Sequence, residues 1–341
     1  MSRSRALQFY ILARLLLAPL MLLMIATLIF ALMRATPGDP ADAVLGSRAP
    51  EAQKAALRER LGLADPLWLQ YLRYLGQLLR LDLGESLTQS GVSVWQIVGQ
   101  HFPATVELAA FGMLVAVATG IAVGTLAASR PGTPLEAFGR LFGTVTYALP
   151  LFWVGMLLQL VFAVNLGWFP LGTRFPVEAT PPPALTGLYT LDGVLSAQPG
   201  KSLTALYYLA LPSLTLGLLL SGIFERIIRA NLKQTLLADY VEAARARGIP
   251  ERRVLLAHAL KNALVPVVTV LGLTFAALLS GTVLTEVTFS WPGLGNRLYE
   301  AISVRDYTTV QGVMVFFGGV VVLVSLAIDI ASAAIDPRIR Y

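Results

Sequence analysis

The chain has 341 residues, of which 56% are hydrophobic and only 13% charged, and its mean hydropathy is +0.68; soluble domains carry roughly a quarter charged residues, so an ordinary soluble globule is excluded. The absence of Cys rules out disulfides and thiolate metal ligation, and two His, His101 and His258, are too few for a histidine cage. A net charge of +6 in so apolar a chain reflects basic residues retained on the cytoplasmic side of a bilayer rather than nucleic-acid binding.

Crossing a bilayer takes about 20 consecutive, mostly apolar residues in a helix. The first such run, Leu15 to Met33, follows Arg3, Arg5 and Arg14 and ends at Arg34 before the turn Pro37-Gly38-Asp39-Pro40. It is longer than a signal-peptide core and lacks a small-residue cleavage site, so it reads as a retained helix. The segment from Ala35 to Pro103 is too charged to span and reads as an external loop domain. Its short helices are expected over Glu51 to Leu61, Leu67 to Leu79 and Val94 to His101, with breaks at Asp65-Pro66 and Gly84. Further spans are expected at about Val106 to Ala128, Phe142 to Val164, Leu209 to Ile228, Leu264 to Leu284 and Val310 to Ile330.

The expected fold is therefore an all-α polytopic bundle of about six transmembrane helices, divided into an N-terminal helix (1–34), the external loop domain (35–103) and a core (104–341). Loop charges orient it. Arg130, Arg140, Arg226, Arg229, Lys233, Arg245, Arg247, Arg252, Arg253 and Lys261 fall in one set of loops, and the short opposite loops hold Arg174, Lys201, Arg297 and Arg305. The basic set belongs in the cytoplasm, with both termini. The connection from Gly167 to Leu203 carries Pro181-Pro182-Pro183 and Pro199-Gly200, so it reads as an irregular external insertion.

Between the fourth and fifth spans lies Asp239-Tyr240-Val241-Glu242-Ala243-Ala244-Arg245-Ala246-Arg247-Gly248-Ile249-Pro250. Asp239 and Glu242, three apart, form an acidic variant of the capping box, with Asp239 as N-cap. Gly248 suits the left-handed residue that closes a helix, and Pro250 the first turn of the next. A helix of about two turns is marginal in water by itself, so something must hold it. Two readings stand open: an ordinary alanine-rich turn, or a small-residue knob docking in a cytoplasmic partner's groove, with Glu242, Arg245 and Arg247 as rim charges.

Glu242-Ala243-Ala244 followed by Gly248 resembles the EAA loop of ATP-binding-cassette importer permeases. Further motifs are similar to the dipeptide, oligopeptide and nickel permease branch: Pro37-Gly38-Asp39-Pro40, Leu61-Gly62-Leu63, Asp82-Leu83-Gly84, Pro103-Ala104-Thr105, Gly167-Trp168-Phe169-Pro170, His258-Ala259-Leu260-Lys261-Asn262-Ala263, Phe289-Ser290-Trp291-Pro292-Gly293 and Asp336-Pro337-Arg338. Leu81, Ser325 and Ser332 depart from the usual pattern, where Gly, Asn and Tyr stand. The resemblance implies a type I importer permease, dipeptide-type, in a bacterial or archaeal cytoplasmic membrane. The loop at 239–262 then couples to the ATPases through Asp239, Tyr240, Glu242, Ala243, Ala244, Arg245 and Gly248.

The resemblance further implies a second homologous permease subunit, two ATPase subunits that bind ATP and Mg, and an extracytoplasmic peptide-binding protein. This chain would hold no cofactor or metal and perform no chemistry. It has no G-x-x-x-x-G-K-[ST] phosphate loop, and Gly293-Leu294-Gly295 lacks the third glycine of a dinucleotide fingerprint because Leu298 stands there. Nickel or another small solute stays open as cargo, and no residue is assigned to a cargo pocket.

Ionisable residues deep in hydrocarbon suggest function. Glu225 and Asp329 are both expected near inner ends of spans, where reaching the interface explains them. Pro150, Pro212 and Pro266 are expected to break spans or their ends. A secondary transporter would show midspan acids or inverted repeats. An intramembrane hydrolase needs a nucleophile beside a base, whereas His101 and His258 fall on opposite sides.

Overall fold

The computed structural model describes residues 3–35, 40–46, 48–60, 62–89 and 91–335. Pro37-Gly38-Asp39, Leu61 and Asp336-Pro337-Arg338 lie outside the described residues, as do the side chains of Arg3, Arg5, Arg14, Asp329 and Ser332. The elements in chain order are α1 (Arg3–Ala35), α2 (Pro40–Leu45), α3 (Glu51–Arg60), α4 (Leu67–Leu79), α5 (Val94–Ser129), α6 (Pro134–Ala148), α7 (Leu151–Leu158) and α8 (Tyr189–Leu195). They continue with α9 (Pro199–Leu236), α10 (Asp239–Ala246), α11 (Glu251–Arg253), α12 (Leu260–Ala263), α13 (Val265–Gly281), α14 (Val283–Thr288), α15 (Leu294–Ser303) and α16 (Tyr307–Ile335). The chain is an all-α membrane protein.

Among the described residues, four stretches are long and apolar enough to cross a membrane unbroken: Leu16–Ala35, Val94–Ser129, Pro199–Leu236 and Tyr307–Ile328. Two bent pairs complete six if each pair counts as one span: Pro134–Ala148 with Leu151–Asn165, bent by 103°, and Glu251–Ala263 with Val265–Gly281, bent by 44°. The span expected from Phe142 to Val164 therefore straddles a sharp corner. Pro150 makes it: the preceding Leu149 is extended, with φ −80 and ψ 135, as a residue before proline prefers, and Pro150 itself caps α7.

Several boundaries differ from expectation. Val94 to His101 is not a separate loop helix, because α5 runs through Pro103 to Ser129; membrane helices tolerate such prolines where neighbours satisfy the freed carbonyl. The fourth span begins at Pro199 rather than near Leu209, with Pro199 in the first turn and Pro212 enclosed.

The chain forms two compact units. The first comprises 1–105, 279–283 and 292–341. Its core gathers Val94, Ile97, Val98, Leu294, Val313 and Phe317, and α1 packs on α16. Asp306, wholly buried, accepts from Leu87 N (3.1 Å), Thr88 Oγ1 (3.0 Å), Thr309 N (3.1 Å) and Thr309 Oγ1 (2.8 Å), and from Ser86 Oγ. One carboxylate thus caps α16 and fastens the loop ahead of α5.

The second unit comprises 106–278 and 284–291. Here α6 packs on α9, and small residues allow the close approach that membrane helices need in place of a hydrophobic drive. Glu225 of α9 is wholly buried, contrary to the expectation that it reaches the interface. Its Oε1 accepts from Arg229 Nε at 2.6 Å, one turn on, and its carboxylate lies against Gly139 and Gly143, where any Cβ would meet it. The charge is kept in the helix pair by a local partner and two missing side chains.

Candidate functional site

α10 is eight residues long, about the two turns expected. Its N-cap is Ala238, extended at φ −79 and ψ 145 and without a side-chain cap. Asp239 is therefore the first helical residue, and the expected Asp239 capping box does not form. Val241 N and Glu242 N instead bond to Ala238 O at 2.8 and 3.3 Å. Asp239 and Glu242 both lie in the first turn, where negative charge favours the helix dipole.

The C-terminal end follows expectation. Gly248 has φ +74, Gly248 N bonds to Arg245 O at 2.9 Å and Ile249 N to Ala244 O at 3.3 Å. That pair of bonds is a Schellman motif, whose left-handed position glycine occupies without a Cβ penalty. Pro250 is the N-cap of α11, one place earlier than its expected first-turn position.

What holds so short a helix lies within the chain. Val241 and Ala244, three apart and on one face, are buried in a cluster with Ala128 from the end of α5, Leu232 from α9, and Val254, Ala259 and Ala263 from the α11–α12 segment; Leu236, Ile249 and Leu255 pack against it. Tyr240 Oη accepts from Asn262 Nδ2 at 2.7 Å. Arg245 donates to Glu251 through Nε (3.1 Å) and Nη2 (2.7 Å), and this bond with Glu251 raises the Arg245 pKa further above its ordinary value. Both partners are well exposed, so the pair fixes geometry more than it adds stability.

Anchoring leaves a free face. Asp239, Tyr240, Glu242, Ala243, Arg245, Ala246, Arg247 and Gly248 are exposed, whereas Ala244 points inward. The alanines of the motif therefore divide: Ala244 seats the helix and Ala243 shapes its outer surface. Sequence reasoning missed Val241, Asn262 and Glu251 as supports; the three-residue spacing of Val241 and Ala244 was the available signal for the buried face. Beside the helix lies a cavity of about 360 Å³ lined by Ser129, Lys233, Leu236, Arg245, Glu251 and neighbours. Lys233 is ion-paired with Glu136.

A second polar centre lies near the start of the second unit. Glu107 of α5 pairs with Arg174 from the Gly167–Leu203 connection. Glu107 Oε1 also accepts from Thr190 N (2.8 Å) and Thr190 Oγ1 (2.7 Å), and Arg174 stacks 3.8 Å from the Tyr189 ring centroid. Asp192, wholly buried, accepts from Thr186 N (2.7 Å), Thr186 Oγ1 (2.6 Å) and Gly187 N (2.9 Å). Burial pushes its carboxyl up, but these hydrogen bonds outweigh that and hold it below the usual carboxylate range. The connection expected to be irregular is thus a pinned structure containing its own helix, α8.

Among the described residues, no group of three or more His, Cys, Asp or Glu is placed to hold a metal ion.

Comparison with known proteins places this arrangement. Residues 120–341 match the family described as "Binding-protein-dependent transport system inner membrane component", and residues 6–109 match "Binding-prot-dependent transport system membrane comp, N-term". Similar relatives include the "Di/tripeptide transport system permease protein DppB" of Pseudomonas aeruginosa, 41% identical, covering 93% of this chain and 94% of the relative. The "Dipeptide transport system permease protein DppB" of Alkalihalophilus pseudofirmus is 36% identical over 97% of this chain and 99% of the relative. That of Escherichia coli K12 is 37% identical over 93% and 94%. A helical membrane chain alike to these proteins along nearly its whole length, and matched by both family descriptions, belongs to the family of binding-protein-dependent transport system inner membrane components.

Proposed function

We propose that this chain is a permease subunit of an ATP-driven importer that moves dipeptides or other short peptides across the cytoplasmic membrane. The names of its relatives support the cargo class. Alternating access is driven by two separate ATPase subunits that bind ATP and Mg, a second homologous permease subunit completes the pore, and an extracytoplasmic peptide-binding protein delivers cargo. Both termini and α10 face the cytoplasm. The segments 1–34, 35–103 and 104–341 serve as N-terminal span, external loop domain and translocating core, with 167–203 as an external insertion.

One observation carries the coupling step: α10 is seated on the ends of α5, α9 and α11–α12 through Val241 and Ala244 while its outer face stays exposed. A rigidly seated helix transmits a push from a neighbour into the spans that hold it, where a tethered one would only swing. Tyr240, Glu242, Ala243 and Arg245 form the contact face, and Asp239, Ala244 and Gly248 set the helix's start, seat and stop. The test is Ala243→Trp in the reconstituted four-subunit transporter with its binding protein. The complex should keep its fold and lose peptide-stimulated ATP hydrolysis and uptake together; undiminished coupled uptake overturns the assignment. Cysteine labelling at Ala197 from outside, and at Ala246 only after permeabilisation, tests orientation.

A further inference from the structure

Helix α4 (Leu67–Leu79) carries an apolar face that nothing among the described residues covers: Trp68, Leu72 and Leu79 are 64%, 56% and 88% exposed. At about 100° per residue these three fall within roughly 40° of one another on the helix circumference. Arg73 and Gln77, also exposed, lie on the far side, and Arg73 is ion-paired with Asp65. The remaining face meets α1. Tyr71 Oη is 2.6 Å from Thr27 Oγ1, Gln70 Oε1 accepts from Arg34 Nε at 2.8 Å, and the Phe30 ring lies 5.2 Å from that of Tyr71 and 5.6 Å from that of Tyr74.

These contacts define a crossing. From Thr27 to Arg34 α1 rises about 10 Å, yet its two ends meet adjacent residues of α4, Tyr71 and Gln70. The helices therefore cross steeply. Because α1 contains the span Leu16–Ala35, a helix laid across it runs more nearly along the membrane surface than through it. The crossing sits at the last turns of that span, where Arg34 marks the edge of hydrocarbon and Leu28 and Leu32 of α1 are still 60% and 49% exposed. Around α4 the three directions are thus distinct: α1 to one side, an apolar face turned one way and a charged face turned the other.

We infer that α4 is an interfacial helix lying in the membrane surface beside the end of α1, with Trp68, Leu72 and Leu79 sunk at the boundary of headgroups and acyl chains. The occupant of the apolar face is the lipid bilayer, because that face continues the lipid-facing surface of α1 at the same level. The face pattern and its tryptophan are those of helices that lie on a membrane. α4 then fixes the depth and rotation of α1 and keeps the loop domain against the bilayer. The inference rests on α1 spanning the membrane and is independent of cargo and of ATPase docking.

The Cys-free chain makes the test direct. Single cysteines at Leu72, Leu79, Arg73 and Gln77 carry a nitroxide in the full transporter reconstituted in liposomes, and the complex built on the unsubstituted chain supplies the background. Collision with oxygen, which partitions into lipid, should exceed collision with a water-soluble nickel chelate at Leu72→Cys and Leu79→Cys, with the ratio reversed at Arg73→Cys and Gln77→Cys. Nickel-dominated relaxation at positions 72 and 79 would place the face in water. Shielding from both reagents would place a protein partner there. Either result overturns the inference, and neither bears on the family or on peptide transport.

Discussion

Glu107 and Arg174, 67 positions apart in sequence, meet in a buried ion pair with Arg174 Nη2 2.6 Å from Glu107 Oε2 and Arg174 Nε 2.9 Å from the same oxygen. Their side chains are only 2% and 6% exposed, so neither charge has water to fall back on. Removing one partner of such a pair strands the other, which costs about 3–5 kcal/mol. Glu107→Gln should lower hydrogen-exchange protection around α8 on the order of 100-fold, the equivalent of about 3 kcal/mol of local opening. Unchanged protection there would mean that the connection is held by other contacts.

The seat and the outer face of α10 separate by substitution. Val241→Ala removes two buried carbons, about 0.8 kcal/mol each, and should loosen the helix by roughly 1.5–2 kcal/mol, read as increased exchange across residues 239–246. Ala243→Ser, on the exposed side, should leave that exchange unchanged and alter only the affinity for ATPase subunits. Equal effects of the two on helix stability would refute the division.

Gly248 has φ +74 with open space where a Cβ would stand, so substitution there strains backbone without a clash. Gly248→Ala should cost about 1–2 kcal/mol of local stability, and Gly248→Asn less, since asparagine tolerates the left-handed region better. Exchange at the Gly248 and Ile249 amides, which close the motif, reports the order of the two.

Gly143 and Glu225 are coupled by contact. A Cβ at position 143 would meet the Glu225 carboxylate, so Gly143→Ala should weaken the packing of α6 on α9. Beside Glu225→Ala the same change should be better tolerated, with a coupling of about 0.5–3 kcal/mol in a double-mutant cycle of thermal stability in detergent. Strict additivity would show that the two do not share a contact.

Acid should loosen two loops outside the spans. Burial pushes the Asp306 carboxyl up, but hydrogen bonds from Ser86, Leu87 N and Thr309 prevail and hold it below its ordinary value; Asp192 is held low in the same manner. A depressed folded-state pKa contributes stability that is complete above the unfolded value, about 3.9, and is lost as pH falls through the lower folded value. Exchange protection at Leu87, Thr186 and Gly187, corrected for intrinsic rate, should be flat from neutrality to about pH 5 and fall below about pH 4. Asp306→Asn should abolish that dependence at Leu87 alone.

Much of this molecule is legible along the chain itself. Runs of about 20 apolar residues announce the spans, and Gly248 announces the stop of α10 because its conformation is a local backbone property. Pro150 likewise announces the corner between α6 and α7. Asp239 misleads as a cap because the chain enters α10 one residue earlier, with the Ala238 backbone carbonyl taking the first bonds.

Tertiary structure alone decided the rest. Whether Glu225 reaches water or hides beneath Gly139 and Gly143 depends on which helix lies across it. That Ala244 seats α10 while Ala243 shapes its surface depends on α5, α9 and α11–α12 converging beneath it. Composition and short-range periodicity determine which segments are helical and apolar, since those preferences act within a turn or two. Pairings between distant residues, such as Glu107 with Arg174, arise only when packing brings them together and removes water, a condition that no local stretch of sequence encodes.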